Sequence, residues 1–303
     1  MVPSVMARTL ALPVFFALAA LGSLSAQPAL FAKSDALYSA ERYAESTALL
    51  QAALPGASTQ TERAHIYWRL SRDAFDATYA LPKDAPASQL LHGYELAESY
   101  ADSAIGLDPL DAKGYYWKAA AVGQLALLRN VFAAFRSAGM IRDLLSKAAH
   151  LDPSDGEIWY VLAQLYSRIP GAPLSFGNTA SAVSFGRKGL DARIEQEKRG
   201  EVSDVPFDYY NQLSIELARR DWSAARRQSE HAAQAKQYAQ TTDVVEKNAH
   251  YEGAVAIPDL SDRQEAIQIA RWVAAQLETK GARTRTQRQD LALAQADLRK
   301  WER

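Results

Sequence analysis

The tripeptide Leu-Asp-Pro occurs twice, at 107–109 and 151–153, so the two copies lie 44 residues apart. Each closes a stretch of helical periodicity, because a proline just past the last turn has no amide hydrogen with which to extend the ladder. Each is followed by an aromatic-rich run that carries a tryptophan, Trp117 in the first and Trp159 in the second. A period between about 20 and 50 residues, with two helices per unit, marks an α-solenoid, in which every repeat buries its apolar face against its neighbours. Good helix formers dominate the chain and runs of β-branched residues are scarce. The expected fold is all-α, a tetratricopeptide-like superhelix of about five antiparallel helix pairs.

The first 26 residues stand apart. One positive charge in 1–8, an apolar run over 9–24 and the small residues Ser23, Ser25 and Ala26 read as a secretory signal peptide. The run is shorter than the roughly 20 residues a membrane span needs, so no integral span is expected after cleavage, and the compartment expected is periplasmic or extracellular. Periodicity divides the remainder into a repeat core at 27–192, a charged linker at 193–206, and helices at 207–303 that continue the solenoid. Within the core, 35–54 reads as one helix with Leu37, Ala40, Ala44, Ala48 and Ala52 on its buried face. Ser88 is the expected N-cap of the third helix, and Ser154 with Glu157 forms a capping box for the sixth. The apolar stripes place Leu127 and Phe135 inside, and the seventh helix ends near Ala192.

Two runs carry a family resemblance: YYWKAAAVGQLALL at 115–128, and IRDLLSKAAHLDPSDGEIWYVLAQLYSRIPGAPLSFGNTASAV at 141–183. Together they resemble the T-component family of TRAP-type transporters, and more distantly the regulator of microtubule dynamics family. The likeness covers residues 91–190 and is most specific in the loop IPGAPLSFGN. The first resemblance implies a periplasmic helical-repeat protein that associates with a solute-binding protein in solute uptake. The chain has no cysteine, so a lipid anchor of the kind found in that family has no attachment point.

Signals for chemistry are few. Five histidines are scattered singly, none in a helical metal-binding pair, and no nucleophile elbow, phosphate loop or dinucleotide fingerprint occurs. No enzyme, cofactor or metal is expected. A net charge of −1 supplies no field for nucleic acid. The aromatics are more informative. Tyr115, Tyr116 and Trp117 occupy consecutive helical positions about 100° apart, so at least one faces away from its own repeat's core. Packing against both neighbours and lining of the concave groove both account for them, and the same holds for Trp159. Arg129 and Asn130, at a helix turn, either cap free backbone groups or present a carboxylate-binding edge. Phe176 and Asn178 lie in a proline-rigidified loop suited to packing or to docking. The expectation is a non-catalytic binding or scaffold protein that docks a protein partner, with a carrier enclosing a small apolar or carboxylate ligand as the alternative. A sealed cavity lined by Trp68, Tyr116 and Phe135 would favour the carrier, and an open groove the protein partner.

Overall fold

A computed structural model describes residues 18–202 and 205–302, with the side chains of 18–27 and of Val131 left aside. Residues 1–17 of the expected signal peptide lie outside the described residues. The described chain is all-α. Thirteen helices, α1 (Leu18–Ser39), α2 (Tyr43–Ala53), α3 (Gln60–Tyr79), α4 (Ala87–Leu107), α5 (Ala112–Arg129), α6 (Val131–Leu151), α7 (Gly156–Arg168), α8 (Thr179–Lys198), α9 (Phe207–Arg220), α10 (Ala224–Gln240), α11 (Val244–Asn248), α12 (Asp262–Thr279) and α13 (Arg285–Trp301), follow one another. From α1 to α9 each helix packs on the next in the chain, which is the connectivity of a solenoid. Among the described residues no helix is long and apolar enough to cross a membrane.

The 44-residue period is a period of structure. Asp108 and Asp152 end α4 and α6 in matching conformations, φ −140°, ψ 90° and φ −138°, ψ 87°. Asp111 and Asp155 cap the helices that follow, each accepting a backbone N–H two residues on. Trp159 Nε1 donates to the Pro153 carbonyl at 2.9 Å, and Tyr115 Oη donates to that of Pro109 at 3.2 Å. The structural counterpart of Trp159 is therefore Tyr115 and not Trp117. Equivalent positions also meet across the stack: Lys113 Nζ lies 2.7 Å from Glu157 Oε2 and 2.8 Å from Asp155 Oδ2. Repeats approach most closely where side chains vanish. A Cβ on Gly156 would stand 2.8 Å from the Gly189 carbonyl oxygen, so α7 and α8 touch backbone to backbone there.

Several local expectations give way to tertiary contacts. The span 35–54 is two helices, broken where Glu41 takes a left-handed conformation (φ 58°). Ala40, Ala44, Ala48 and Ala52 are exposed, and Ser34, Ser46 and Leu50 are buried instead. The reason is polar: the Ser34 and Ser46 hydroxyls lie 2.9 Å apart between the helices, and Arg69 and Arg72 from α3 clamp Asp35. Alanine carries too little apolar area to override such contacts. Helix α4 begins at Ala87 behind Pro86, one residue before Ser88 could cap it. Asp155 caps α7 because Ser154 turns back to Asp152 and Glu157 is drawn to Lys113. Leu127 and Phe135 lie outside, 55% and 42% exposed, because α5 buries Val122, Leu125 and Ala126 and α6 buries Ala138, Ile141 and Leu145 on their packed faces instead. Helix α8 continues through the start of the charged segment to Lys198, with Ile194 packed against the C-terminal core.

Beyond α9 the stacking order changes. Helix α12, not α10, packs along α9, and α13 packs on α12. A buried charge network makes that arrangement. Arg220 bridges Asp262 and Glu252, Arg187 bridges Glu252 and Glu265, and Arg227 reaches Asp262, Glu265 and the Leu260 carbonyl. Three guanidiniums face three carboxylates drawn from α8, α9, α10, α12 and the short 3-10 turn Tyr251–Ala254. Burial pushes the Glu252 carboxyl up, but Arg220, Arg187 and Arg227 outweigh it and hold it at about 2. The stability it contributes is complete above the ordinary glutamate value of 4.5 and is lost as pH falls toward about 2. Replacing Arg220 by Leu leaves three buried carboxylates sharing two guanidiniums, and denaturant titration at neutral pH should show a loss of about 3–5 kcal/mol. An unchanged midpoint would show the network to be dispensable.

Candidate functional site

A partly open chamber of about 340 Å³ lies between the helices. Its walls come from both ends of the chain and from the middle. The α1–α2 turn contributes Tyr38, Glu41 and Tyr43; α3 contributes Phe75 and Asp76; α5 contributes Tyr116 and Trp117. Opposite them stand Glu157 and Tyr160 of α7, Arg193 of α8, and Phe207, Asp208 and Tyr209 in the first turn of α9. The start of α13 closes the ring with Thr286, Gln287 and Asp290. There the two ends of the chain touch: Thr286 Oγ1 donates to Glu41 Oε1 at 3.3 Å, and Arg285 Nη2 to the Tyr79 carbonyl at 3.4 Å.

Rings and carboxylates share this lining. Tyr160 and Tyr209 lie 4.6 Å apart between centroids, Tyr116 meets Trp117 edge-on at 4.9 Å, and Phe75 meets Trp117 at 5.7 Å. Five acidic side chains, Glu41, Asp76, Glu157, Asp208 and Asp290, stand against one basic lining residue, Arg193. Burial pushes Asp76 up to about 7, with Glu157 and Asp73 adding to the rise and Tyr38 and Arg72 opposing it. Tyr38 Oη donates to Asp76 Oδ2 at 2.7 Å. Burial also pushes Asp290 up to about 7, reinforced by Asp208 and offset by Asn211, and Asp208 up to about 6 against the pull of Arg193. Burial works to raise Glu157 too, but the Lys113 ammonium outweighs it and holds that carboxyl below the usual range. The phenols of Tyr116, Tyr160 and Tyr209 are raised well above their ordinary value by burial, so they remain neutral donors. Among the described residues no three His, Cys, Asp or Glu side chains converge to hold a metal ion. No histidine, cysteine or lysine lies on the lining. The arrangement is suited to holding a molecule by charge and ring faces.

Of the residues singled out in the sequence, Tyr116 and Trp117 reach this chamber. Tyr115 is turned to the Pro109 carbonyl, and Trp159 is fully buried, stacked on Phe185 at 5.8 Å. Asn130 caps α6 through Ala133 N–H, and Arg129 is exposed beside it, away from the lining. Phe176 packs edge-on against Tyr166 at 5.2 Å and under the Arg142 guanidinium at 4.8 Å, while Asn178 caps α8. Gly177 keeps that loop folded, since a Cβ there would lie 1.7 Å from the Ile169 carbonyl oxygen. Neither Trp68 nor Phe135 lines the chamber. Sequence reasoning missed Asp76, Asp208 and Asp290. A signal for two of them existed, the repeated dipeptide Phe-Asp at 75–76 and 207–208, which sets a carboxylate beside a core aromatic.

Residues 30–169 match the model of a family described as Regulator of microtubule dynamics protein 1-3. This is the more distant of the two resemblances drawn from the sequence. The match covers α2 through α7 and leaves α8 to α13, with half of the chamber wall, beyond it. No curated protein matches the chain.

Because the raised carboxyls of Asp76, Asp208 and Asp290 are protonated more readily in the folded chain than in the unfolded one, the stability they lend is complete below 3.8 and is lost as pH rises through about 6 to 7. The melting temperature should fall from pH 5 to pH 8, and Asp290→Asn should flatten that slope. A variant whose melting curve tracked the parent across this range would refute the assignment.

Proposed function

We propose that this chain is a non-catalytic binding protein that encloses a ligand within its superhelix, the repeats serving as the wall of the site. The observation that supports this reading is the meeting of the α1–α2 turn with the start of α13, which draws elements from both ends of the chain around one partly open chamber. A volume of about 340 Å³ falls in the range of small-molecule sites, about 300–1,000 Å³. The charges on the wall favour a ligand other than the carboxylate suggested by Arg129. A periplasmic or extracellular location remains part of the proposal, on the strength of the N-terminal leader.

A second reading concerns a protein partner. Leu174 is 75% exposed on the 169–178 loop, the segment that most resembles the uptake-associated family, and it lies outside the chamber. Such an apolar tip on a packed loop supports docking of a solute-binding protein that exchanges ligand with the chamber. Leu174→Glu tests it more cleanly than deletion of the loop, which would also remove the Asn178 cap.

Native mass spectrometry of the chain purified from its own host should show a small-molecule adduct. Ser39→Trp, at an exposed position on the chamber rim, should abolish the adduct while circular dichroism stays unchanged. A bare chain, or an adduct indifferent to Ser39→Trp, would rule out the enclosed ligand. Capture of a solute-binding protein that Leu174→Glu prevents would establish the docking role, and capture insensitive to that change would remove it.

A further inference from the structure

We propose that the chamber's ligand is a small organic cation, an amine or quaternary ammonium with an apolar body, held by Asp76, Asp208 and Asp290 against the rings of Tyr116, Tyr160 and Tyr209. This rests on the enclosed-ligand reading above and gives that ligand a chemical class.

Two features of the lining lead to it. The first is charge. The lining presents five carboxylates and one guanidinium, and the further cations that act on it, Lys113 and Arg72, are already committed, the first to Asp155 and Glu157 and the second to Asp35 and Asp73. Like charges gathered around one partly enclosed site raise one another's energy, and a bound cation relieves them. The second is the aromatic content. Eight of the twenty lining residues are Tyr, Phe or Trp, and a ring face attracts a cation while a weakly hydrated ammonium gives up water readily. The carboxylates come from α3, α9 and α13 and are spread around the wall, a spacing that suits a bulky organic cation better than a metal ion.

The groups facing each carboxylate set the pH response. Asp76 faces Tyr38, Arg72, Asp73 and Glu157; Asp208 faces Arg193 and Glu157; Asp290 faces Asp208 and Asn211. The aspartates ionise through about 6 to 7, and a bound cation favours the ionised form, so affinity rises from pH 5.5 to pH 8.

Calorimetry on the full chain distinguishes the classes with three probes of one shape and different charge: choline, its neutral carbon isostere 3,3-dimethylbutan-1-ol, and the anion 3,3-dimethylbutanoate. Spermidine serves as a longer cation. The expected result is binding of choline or spermidine at pH 8 at least about tenfold tighter than either uncharged or anionic probe, and about tenfold weaker at pH 5.5. The double variant Asp208→Asn with Asp290→Asn should lower cation affinity by about tenfold and leave the neutral probe unaffected. Equal or tighter binding of the alcohol or the anion would overturn the cation class while keeping the enclosed-ligand reading. Failure of both cations to bind at millimolar concentration would overturn it as well, and the Ser39→Trp adduct experiment would then decide separately whether the chamber holds any ligand.

Discussion

Arg187, Arg220 and Arg227 share one dry pocket with Glu252, Asp262 and Glu265, and the shape of the C-terminal half depends on their mutual neutralisation. Each charge alone would be prohibitive to bury, and each is stable only because two or three partners arrive from other helices. The arrangement therefore has few alternatives. A helix α12 displaced from α9 would leave Asp262 and Glu265 in apolar surroundings without counter-ions. By holding α12 on α9 the network directs α13 back toward the N-terminal helices, and the start of α13 then stands over the concave face. A chain that stacked α10 directly on α9 would have left that face open.

The network and the chamber thus treat charge in opposite ways. In the network every carboxylate has a guanidinium, and Glu252 is held at about 2. In the chamber Asp76 and Asp208 are half-buried and Asp290 buried, with little compensation, and they are raised to about 7, 6 and 7. The first arrangement stabilises the fold at neutral pH and the second weakens it. Titratable groups whose environment works against them concentrate where a protein interacts with something else; three of them line the chamber, while Glu216, raised to about 7 by burial, lies outside it. The same contrast explains why the family match at 30–169 carries limited functional weight, since it includes Asp76 but neither Asp208 nor Asp290.

Much of the local architecture was legible in the chain. Leu-Asp-Pro ends helices wherever it falls, because proline lacks the donor that the next turn requires, and the backbone at Asp108 and Asp152 is accordingly the same. The caps were harder. Ser154 and Asp155 both qualify by residue type, and the choice fell to Asp155 because Lys113, 42 residues away, draws in Asp155 and Glu157. The alanine stripe of 40–52 misled for a related reason. Alanine is compatible with either face, so serine hydroxyls and a clamped Asp35 decided the matter. Of the aromatic triplet, the geometry of consecutive helical positions required that one residue diverge, and the structure selected Tyr115.

By itself the sequence determined the helical class, the repeat period and the helix stops at Leu-Asp-Pro, because these follow from chemistry within a few residues of each position. The chamber was decided only by tertiary structure. Asp76 and Asp290 are separated by most of the chain, and no periodicity relates them. Their approach depends on the accumulated rotation between successive helix pairs and on the turn imposed by the buried charge network. Local patterning tells which face of a helix must be covered, while which neighbour covers it is set by packing summed over the whole superhelix.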